Sequence, residues 1–380
     1  MVTPPHEKLV ARLEQAGVLT RYWREAFTGI ERHRFLPDRI ITPDGEVVDR
    51  DTDPRRWLAS AYDDLPIVTQ VDEGNEDGSA PPISSASKPS VVADMLRRLD
   101  ASPGMRVLEV GTGTGYNAAL LSHRLGEEDV VTIEVDADLA ERARERLLGV
   151  GLCTLVITGD GTQGWPARAP FDRVISTVAV RRVPYHWVAQ TRPGGRILTP
   201  WGTALHNGVL ADLHVGPHGT AHGRFTGDVA FMWVRDQRVT GRTLKAHVPP
   251  KVRESTLTRT RLHPHEPLGD FGASFAIGLH MPTVLKRIEF EQDRGRRFTV
   301  HLVDPGTGSW ASWHVDHGSR RSGYQVRQHG PRSLFTELES AYAWWRREGR
   351  PEHTRFGLTV SAERQSVWLD HESRVIGSMP

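Results

Sequence analysis

The stretch VLEVGTGTGY, residues 107–116, places three glycines at every second position behind an apolar run. Gly111, Gly113 and Gly115 would let the backbone turn tightly and approach a ligand closely, as in loops that hold a dinucleotide. The dinucleotide pattern GxGxxG, however, has its third glycine one residue later. Glu109 lies two residues before the first glycine, where its carboxylate would repel a pyrophosphate and attract a cation. The loop therefore favours a cationic ligand that carries no phosphate.

Two more acidic residues follow at the ends of the next predicted strands. Glu134 ends the segment DVVTIEVD, where a carboxylate can accept hydrogen bonds from both hydroxyls of a ribose. Asp160 follows the third strand in ITGDG, where it suits an adenine edge. Each residue alone is more often a helix cap or a solvated strand end, but the three in order favour S-adenosylmethionine. The expected cofactor-binding residues are Glu109, Gly111, Thr112, Gly113, Gly115, Tyr116, Asn117, Glu134, Val135, Asp160, Gly161 and Thr177.

The elements that must position these residues alternate between strand-like and helix-like segments from Met105 to about Leu213. Apolar, β-branched runs predict strands in RVLEV, DVVTIEV, CTLVIT, DRVIST and GRILTPW. Helical spacing predicts helices in AALLSHRL, ADLAERARERLLG and YHWVAQT. This rhythm predicts an α/β fold with a doubly wound parallel sheet. The expected class is the Rossmann-like, class I S-adenosylmethionine-dependent methyltransferase fold, with N-terminal helices and an additional C-terminal α+β domain.

The residues before this core predict helices joined by a long loop. Helical spacing between residues 7 and 34, broken near Gly17, predicts two short helices. Residues 37–81 are rich in Pro, Asp, Gly and Glu, which indicates a loop with at most short strands. Pro89 starts the predicted helix PSVVADMLRRLD, and Ser87 lies near its N-terminus, where a hydroxyl can cap the helix.

The residues after about 240 predict a second folded part. RRFTVHLVDPGTGSWASWHVD predicts an antiparallel hairpin, and FGLTVSAERQSVWLD predicts another strand or hairpin. Between them, Ser333 and Gly349 bound a predicted helix. We expect this tail to fold separately from the parallel sheet. The expected parts are an N-terminal region that completes the substrate pocket (1–104), a cofactor-binding core (105–240), a linker (241–255) and a candidate peptide-docking domain (256–380).

Composition excludes several classes of partner. Among the 380 residues, 48 basic and 47 acidic side chains give a formal net charge of +1, so no global field would recruit nucleic acid or an anionic membrane. Cys153 is the only cysteine, which excludes a disulfide framework, and its apolar surroundings predict a place in the core. The N-terminus lacks a signal-type apolar region, and no apolar run is long enough for a membrane span. We therefore expect a cytoplasmic protein.

One cluster of histidines resembles a metal site by spacing alone. Glycines and a proline interrupt any helix through it, and no acidic residue recurs at matching offsets, so we expect no metal. The cluster consists of His206, His214, His218 and His222.

Residues 25–235 resemble the protein-L-isoaspartate O-methyltransferases. The matching segments are FTGIERHRFLPD, YDDLPI, SASKPSVVADML, VLEVGTGTGYNAALL, VTIEVD, GDGTQGWPARAPFDRVIST and VPYHWVAQTRPGGRILTPWGT. The resemblance implies methyl transfer from S-adenosylmethionine to a carboxylate of an aspartyl or isoaspartyl residue in a protein or peptide. It also implies that Ser87, helped by Ser85, orients the acceptor carboxylate, and that Val183 and Pro184 form the opposite wall of the substrate slot. The other expected substrate-binding residues are Lys88, Pro89, Arg181 and Arg182.

The sequence departs from the family pattern around the acceptor. Ala86 replaces an isoleucine, Lys88 replaces a glutamine or alanine, Ser90 stands at an often aromatic position, and Arg181 and Arg182 enter a loop that is usually small and apolar. These charges would favour an acidic or differently shaped peptide, although they are also typical of a solvated surface. The cofactor segments show no such departures.

A subgroup of the family with an added C-terminal domain resembles the chain more fully. Its members are encoded with ribosomally made, crosslinked peptides and methylate an L-aspartate whose ester then closes to an aspartimide. Ordinary isoaspartyl repair remains an alternative, as does a non-catalytic scaffold that binds peptide. In the tail, the adjacent Trp344 and Trp345 cannot both face inward from one helix, so one of them is a candidate contact for a peptide.

Overall fold

The computed structural model describes residues 4–71, 82–238, 255–291, 297–316 and 323–379. Its contacts divide the chain into two compact units. The first holds residues 1–178, 184–199 and 212–221, and the second holds residues 179–183, 200–211 and 222–380. This division differs from the expected one, because a short loop and part of the predicted core belong with the C-terminal residues. The predicted linker, 241–255, lies outside the described residues except at its last position.

The first unit begins with helices and a small antiparallel sheet of order β2-β1-β3-β4. The two helices predicted before residue 34 are confirmed, and Gly17, at a φ of +69°, lies in the turn between them. The region predicted as a loop with at most short strands contains three short strands, and the structure adds one helix to it. The elements are α1 (Pro5–Gln15), α2 (Arg21–Gly29), a 3-10 turn (Arg32–Phe35), β1 (Arg39–Ile41), β2 (Val47–Asp49), α3 (Pro54–Ala61), β3 (Ile67–Val71), β4 (Pro82–Ala86) and α4 (Pro89–Leu99).

The predicted parallel sheet is confirmed in the first unit. Its strands lie in the order β9-β8-β5-β6-β7, and each neighbouring pair is parallel. Strand β5 is buried along its whole length, as expected where both faces of a parallel sheet are covered. The elements are β5 (Val107–Val110), α5 (Tyr116–Leu125), β6 (Val130–Glu134), α6 (Ala137–Gly149), β7 (Leu155–Thr158), β8 (Phe171–Ser176), α7 (Tyr185–Ala189) and β9 (Thr191–Gly202), with 3-10 turns at Glu127–Asp129, Gly161–Gln163 and Pro166–Arg168.

Two local predictions in this unit are wrong. Cys153 is exposed rather than buried, because it lies two residues before β7 begins and its backbone amide donates a hydrogen bond to the Glu127 carboxylate. Ser87 does not cap α4, because the helix begins two residues later, at Pro89, and Lys88 is its N-cap residue. A carboxylate from a distant loop, that of Asp64, accepts the hydrogen bond of the Ser90 amide instead, at 2.7 Å.

The second unit contains mainly antiparallel strands. One sheet has the order β12-β16-β15-β14-β13, and the strands β19-β18-β17-β11-β10 are neighbours in another. The predicted hairpins are β14 with β15 and β17 with β18. The elements are β10 (Asn207–Val215), β11 (Ala221–Thr226), a 3-10 turn (Arg235–Gln237), β12 (Thr256–Thr260), α8 (His265–Leu268), α9 (Phe271–His280), β13 (Leu285–Phe290), β14 (Arg297–Asp304), β15 (Ser309–Asp316), β16 (Tyr324–His329), α10 (Leu334–Arg347), a 3-10 turn (His353–Arg355), β17 (Phe356–Val360), β18 (Gln365–Leu369) and β19 (Val375–Met379).

Part of the tail does not fold separately from the residues before position 240, contrary to the prediction. Strand β17 lies beside β11, so residues on both sides of position 240 share one sheet. Pattern reading missed this pairing because it joins segments that are more than a hundred residues apart. The expected α+β content is nevertheless present, since helices α9 and α10 cover a core that includes Trp313 and Phe335.

The tryptophan pair of α10 faces two directions, as the helix requires. Trp345 is buried and donates a hydrogen bond from Nε1 to the Pro351 carbonyl at 3.0 Å. Trp344 is half-buried, with its ring 4.5 Å from that of His280 between centroids. A peptide contact by this pair stays a prediction. No helix in the described part of the chain is long and apolar enough to cross a membrane.

Candidate active site

The glycine loop follows β5 and turns through three residues with positive φ. Gly111, Gly113 and Gly115 have φ values of +92°, +53° and +90°, a region that residues with a side chain rarely adopt. At Gly111 a Cβ atom would lie 2.8 Å from Oγ1 of Thr177, which donates a hydrogen bond to the Gly111 carbonyl. At Gly115 it would lie 3.4 Å from Cβ of Ala143 on α6. The loop therefore needs glycine both for its turn and for close packing.

Glu109 is the most unusual charge in this region, because its side chain is fully buried at 0% exposure. The hydroxyl of Thr132 donates to Oε2 at 2.6 Å, and the side-chain amide of Asn117 donates to Oε1 at 2.7 Å. Within the described residues no basic side chain pairs with it. Burial raises the pKa of Glu109 to about 7 despite the two hydrogen bonds. The side chain has no exposed surface in this structure, so its expected pairing with the ammonium group of S-adenosylmethionine stays a prediction.

Glu134 and its neighbour lie at the end of β6, as predicted. The amide of Gly113 donates to Oε2 of Glu134 at 2.9 Å, so this carboxylate also fixes the glycine loop. The amide of Asp136 donates to the other oxygen, Oε1, at 3.1 Å. Val135 is 43% exposed, an apolar side chain that remains open at the end of a buried strand. Together the pair offers acceptors for ribose hydroxyls beside an apolar surface for a base.

The loop after β7 carries Asp160, Gly161 and Thr162. The carboxylate of Asp160 is exposed and accepts hydrogen bonds from the amide and hydroxyl of Thr162, at 2.9 and 2.7 Å, so it caps the short 3-10 turn. A Cβ atom on Gly161 would lie 2.5 Å from Cγ1 of Val110, so only glycine fits beside β5. The structure therefore brings the three acidic residues to successive strand ends, as the sequence predicted.

Two of the expected cofactor residues have other surroundings. Tyr116 is buried between the rings of Phe27 and Phe35, at centroid distances of 6.3 and 5.7 Å, and burial raises its pKa. Its role in the structure is to pack α5 against the N-terminal helices. Thr112 is also buried, and its hydroxyl lies 2.6 Å from that of Thr132, next to Glu109.

The acceptor segment, Ser85–Pro89, spans the end of β4 and the start of α4. A Cβ atom on Gly113 would lie 3.9 Å from the Ser85 carbonyl, so this segment adjoins the glycine loop. The side chains of Ser85 and Ser87 are partly exposed, and their hydroxyls have no hydrogen-bond partner among the described residues. Two hydroxyls are therefore available for a ligand beside the loop.

Arg32 fixes the backbone of the acceptor segment through hydrogen bonds, and its side chain is only 1% exposed. Its guanidinium donates to the carbonyls of Ala61 and Ser87 at 2.7 and 3.1 Å, and more weakly to that of Ala86 at 3.4 Å. Burial lowers its pKa to about 10, which leaves it charged at neutral pH. Pattern reading missed this residue, because a single arginine in an N-terminal turn carries no signal of its partners.

Lys88 and Pro89 complete this segment. Lys88 Nζ lies 3.6 Å from the carboxylate of Asp64, and Pro89 is the buried first residue of α4. The lysine is thus already paired within the fold, which weakens its expected role as a free charge for the acceptor. Asp64 belongs to the matched segment YDDLPI, although its capping role has no sequence signal.

The loop of residues 179–183 belongs to the second unit. Arg182 has an exposed side chain, whereas the guanidinium of Arg181 donates to the Gln237 carbonyl at 2.6 Å. Val183 is only 1% exposed, so its side chain offers no open surface, contrary to its expected role as a wall. Pro184, the following residue, is partly exposed. Of the four consecutive residues 181–184 that were expected to bind the substrate, Arg182 and Pro184 are therefore the accessible ones.

The histidine cluster forms no metal centre in the described part of the chain, where no three potential ligands converge. His206 lies with Nδ1 3.1 Å from the Ser274 hydroxyl and packs edge-on against Phe271. Burial lowers its pKa to about 4, so it is neutral at physiological pH.

The fold and the three acidic strand ends define a class I S-adenosylmethionine-dependent methyltransferase. Comparison with known proteins is more specific, because the family model of protein-L-isoaspartate(D-aspartate) O-methyltransferase matches residues 45–238. The chain belongs to this family, whose members are S-adenosylmethionine-dependent protein carboxyl O-methyltransferases.

The relatives agree with this assignment. The protein-L-isoaspartate O-methyltransferase of Anaeromyxobacter dehalogenans (strain 2CP-C) is 36% identical over 208 residues, which cover 54% of this chain and 85% of that protein. The protein of the same name from Pyrococcus abyssi is 33% identical over 228 residues, covering 60% of this chain and 92% of that one.

A solved structure resembles nearly the whole chain. It is described as a protein-L-isoaspartate O-methyltransferase, covers 96% of this chain and all of its own, and has a TM-score of 0.55 at 23% identity. That likeness concerns the fold alone. The fold of the C-terminal extension therefore has a counterpart in that solved structure.

Proposed function

We propose that Ser87 and Ser85 orient the carboxylate that receives the methyl group. An aspartyl or isoaspartyl carboxylate is already ionised at neutral pH, so the transfer needs alignment and a dry pocket rather than a general base. S-adenosylmethionine supplies the sulfonium methyl group when bound. The observation that carries this proposal is a pair of hydroxyls that have no partner among the described residues, in a segment that adjoins the glycine loop at Ser85.

We propose further that the acceptor is an L-aspartate side chain in a constrained, ribosomally made peptide. Two features of this chain support that choice over a general acceptor. Arg182 adds an exposed positive charge to the loop of residues 179–183, and the C-terminal extension holds this loop in place through Gln365. A peptide of fixed shape loses less conformational entropy on binding, which suits an enzyme with a dedicated acceptor. The next backbone nitrogen would then attack the methyl ester and expel methanol. The product is an aspartimide, which persists or opens to isoaspartate.

Isoaspartyl repair is the second candidate function. The family match and the names of the relatives support it, and the likeness to a solved structure of that description extends over the tail. A non-catalytic, peptide-binding scaffold is less well supported, because such a scaffold would not need the buried, uncompensated carboxylate of Glu109.

One mass-spectrometric assay separates these functions. The protein would receive S-adenosylmethionine and, in parallel, a macrocyclic L-aspartyl peptide, its linear L-aspartyl form and a linear isoaspartyl peptide. The mass gain of one methyl group, or the loss of water that marks the aspartimide, on the macrocycle alone is the expected result. Methylation of the linear isoaspartyl peptide alone would establish repair. Absence of S-adenosylmethionine binding by calorimetry would point to the scaffold.

We also propose residues 256–380 as the docking domain for the peptide and expect the activity in a reducing cytoplasm, in line with the single cysteine. Trp344 is the half-buried aromatic candidate for a contact. Trp344→Ala is then expected to weaken binding of the macrocyclic peptide several-fold, measured by fluorescence titration, with unchanged affinity for S-adenosylmethionine. Unchanged peptide binding would remove Trp344 from the docking surface.

A further inference from the structure

The loop of residues 179–183 is held at every position by hydrogen bonds within the second unit. The Ala179 amide donates to the Met232 carbonyl at 2.7 Å, and the Val180 amide donates to the Pro200 carbonyl at 3.0 Å. These first two residues are thus fixed by backbone partners in the manner of a short strand. Among the described residues, the three that follow have no strand partner, and side chains fix them instead.

Gln237 fixes the middle of the loop. Its Oε1 accepts hydrogen bonds from the amides of Arg181 and Arg182, at 2.7 and 3.0 Å, and its Nε2 donates to the Arg182 carbonyl at 3.0 Å. One side-chain amide therefore satisfies three backbone groups. Gln237 lies near the end of the segment matched by the family model.

Gln365 fixes the end of the loop from the C-terminal extension. It is the first residue of β18, and its side chain is 2% exposed. Its Oε1 accepts from the Val183 amide at 3.0 Å, and its Nε2 donates to the Val183 carbonyl at 3.0 Å. A primary amide has one acceptor and one donor end, so it completes both backbone groups of one residue. Because this pair is buried, losing the amide would leave two backbone groups unsatisfied.

We propose that Gln365 is a positioning residue for the acceptor and that the C-terminal extension controls acceptor use through it. The proposal rests on the proposed function in one respect, namely that Arg182 and Pro184 are substrate-binding residues. Val183 lies between Arg182 and Pro184, the two accessible residues of that side. Fixing the Val183 backbone therefore fixes where both of these residues are presented. Gln365 itself is too deeply buried to contact the acceptor.

The test compares Gln365→Met with Val367→Ala in the full chain. Methionine keeps the length of glutamine and removes both hydrogen bonds, whereas Val367→Ala opens a cavity two residues further along β18 and leaves the amide in place. The acceptor is whichever of the macrocyclic L-aspartyl and linear isoaspartyl peptides the wild-type protein methylates. The peptide that the wild type prefers thus tests the proposed function. The comparison of the two variants with that same peptide tests the role of Gln365.

We expect Gln365→Met to raise the KM for the acceptor about tenfold, with the calorimetric Kd for S-adenosylmethionine unchanged. Hydrogen exchange of the Val183 amide should accelerate to a similar degree, while that of the Val180 amide stays constant. Val367→Ala should change neither value. Faster exchange at Val183 with an unchanged acceptor KM would overturn the proposal, as would an equal rise in KM for both variants.

Gln365→Glu provides a second test if the methionine variant fails to fold. A protonated carboxyl group can accept from the Val183 amide and donate to its carbonyl, as glutamine does, but an ionised one can only accept. The ratio of the acceptor KM of this variant to that of the wild type should therefore rise with pH. A ratio that stays constant with pH would overturn the proposal.

Discussion

Two regions of this chain differ in the sequence separation of the contacts that support them. The first is the cofactor edge, the strand ends that carry Glu109, Glu134 and Asp160. The second is the acceptor side, which comprises the segment Ser85–Pro89 and the loop of residues 179–183.

At the cofactor edge, the partners of Glu109 are Asn117 and Thr132, which lie 8 and 23 positions away. These residues belong to consecutive strands and helices of one parallel sheet. Thr177 reaches the Gly111 carbonyl across 66 positions, but it also directly follows a strand of this sheet, β8. The edge is therefore assembled by the strands of the parallel sheet and the loops that follow them.

The acceptor side depends on residues that are far away in the chain. Arg32 reaches the Ser87 carbonyl across 55 positions, and Gln365 reaches Val183 across 182. None of these supporting side chains needs to touch the substrate.

Removing Arg32 is expected to have the largest effect on stability and activity. It removes hydrogen bonds from the acceptor segment and none from the glycine loop. Arg32→Leu leaves the Ala61 and Ser87 carbonyls without their donor in a buried place, which should lower the free energy of unfolding by about 3 kcal/mol. Denaturant unfolding measures this change. Methyl transfer should fall with it, because Ser87 loses its support.

Arg34→Ala is the matched control for that variant. Arg34 lies in the same 3-10 turn and also donates to a carbonyl, that of Gly149, but its side chain is exposed. Its loss should lower the free energy of unfolding by no more than about 0.5 kcal/mol. Equal losses for the two variants would show that the buried hydrogen bonds of Arg32 contribute little.

At the cofactor edge, Glu109→Gln should weaken S-adenosylmethionine binding by about 30- to 100-fold, measured by calorimetry. Glutamine keeps the size and most hydrogen bonds of the side chain, so the loss reports the missing charge. Binding that remains unchanged would exclude the pairing of Glu109 with the ammonium group. The acceptor segments should be unaffected, as shown by hydrogen exchange at Val183.

The raised pKa of Glu109 gives this prediction a pH dependence. Below a pH of about 7 the carboxyl group is protonated in the free protein and attracts the cation less, so the Kd should fall as the pH rises through 7. Its contribution to folding has the opposite trend: it is fully present below the ordinary pKa of 4.5 and is lost as the pH rises through about 7. Glu109→Gln should abolish both dependences and raise stability at pH values above 7.

The same contrast explains what the sequence could predict. The strands and helices around the glycine loop follow from periodicity, and Glu109, Glu134 and Asp160 follow from their places at strand ends. Such signals are readable because each lies within one strand and the loop after it. Tyr116 shows their limit, since a residue beside the loop turned out to pack in the core.

The acceptor side could be named only by resemblance and could not be built from the sequence. Capping of α4 was one alternative for Ser87, but the carboxylate of Asp64 accepts the hydrogen bond of the Ser90 amide, 26 positions along the chain, instead. Gln237 and Gln365 have no pattern that marks them, because a side-chain amide bonded to backbone depends on tertiary packing. The pairing of β17 with β11 is equally non-local. Gln365, which holds the Val183 backbone, lies on β18, the strand next to β17.

Ser87→Ala tests whether the acceptor side performs its proposed task. A hydrogen bond to an ionised carboxylate contributes more than a neutral one, so kcat/KM for the acceptor should fall about tenfold, in steady-state assays. The Kd for S-adenosylmethionine should not change, since the hydroxyl has no partner in the described protein. Full turnover by this variant would reject the assignment. Ser85→Ala should show the same trend with a smaller loss.

Gln190→Met should have the smallest effect and sharpens the comparison most directly. Gln190 is the counterpart of Gln365 in the first unit, because its buried amide accepts from the Trp165 amide and donates to the Gln163 carbonyl, both at 2.7 Å. Gln163 ends the 3-10 turn that Asp160 caps, and Trp165 lies two residues further on. Losing the amide should therefore weaken S-adenosylmethionine binding by about three- to fivefold, measured by calorimetry, and leave the acceptor KM unchanged.

Val188→Ala controls for general loosening, since it opens a cavity in the neighbouring helix α7 without touching the amide of Gln190. It should lower stability and leave the cofactor Kd as it is. The two glutamines then give opposite results: Gln190→Met changes the cofactor Kd, and Gln365→Met changes the acceptor KM. If both variants altered the same parameter, the two sides of the site would not be separately supported, and changes in the extension could not alter the acceptor without also disturbing cofactor binding.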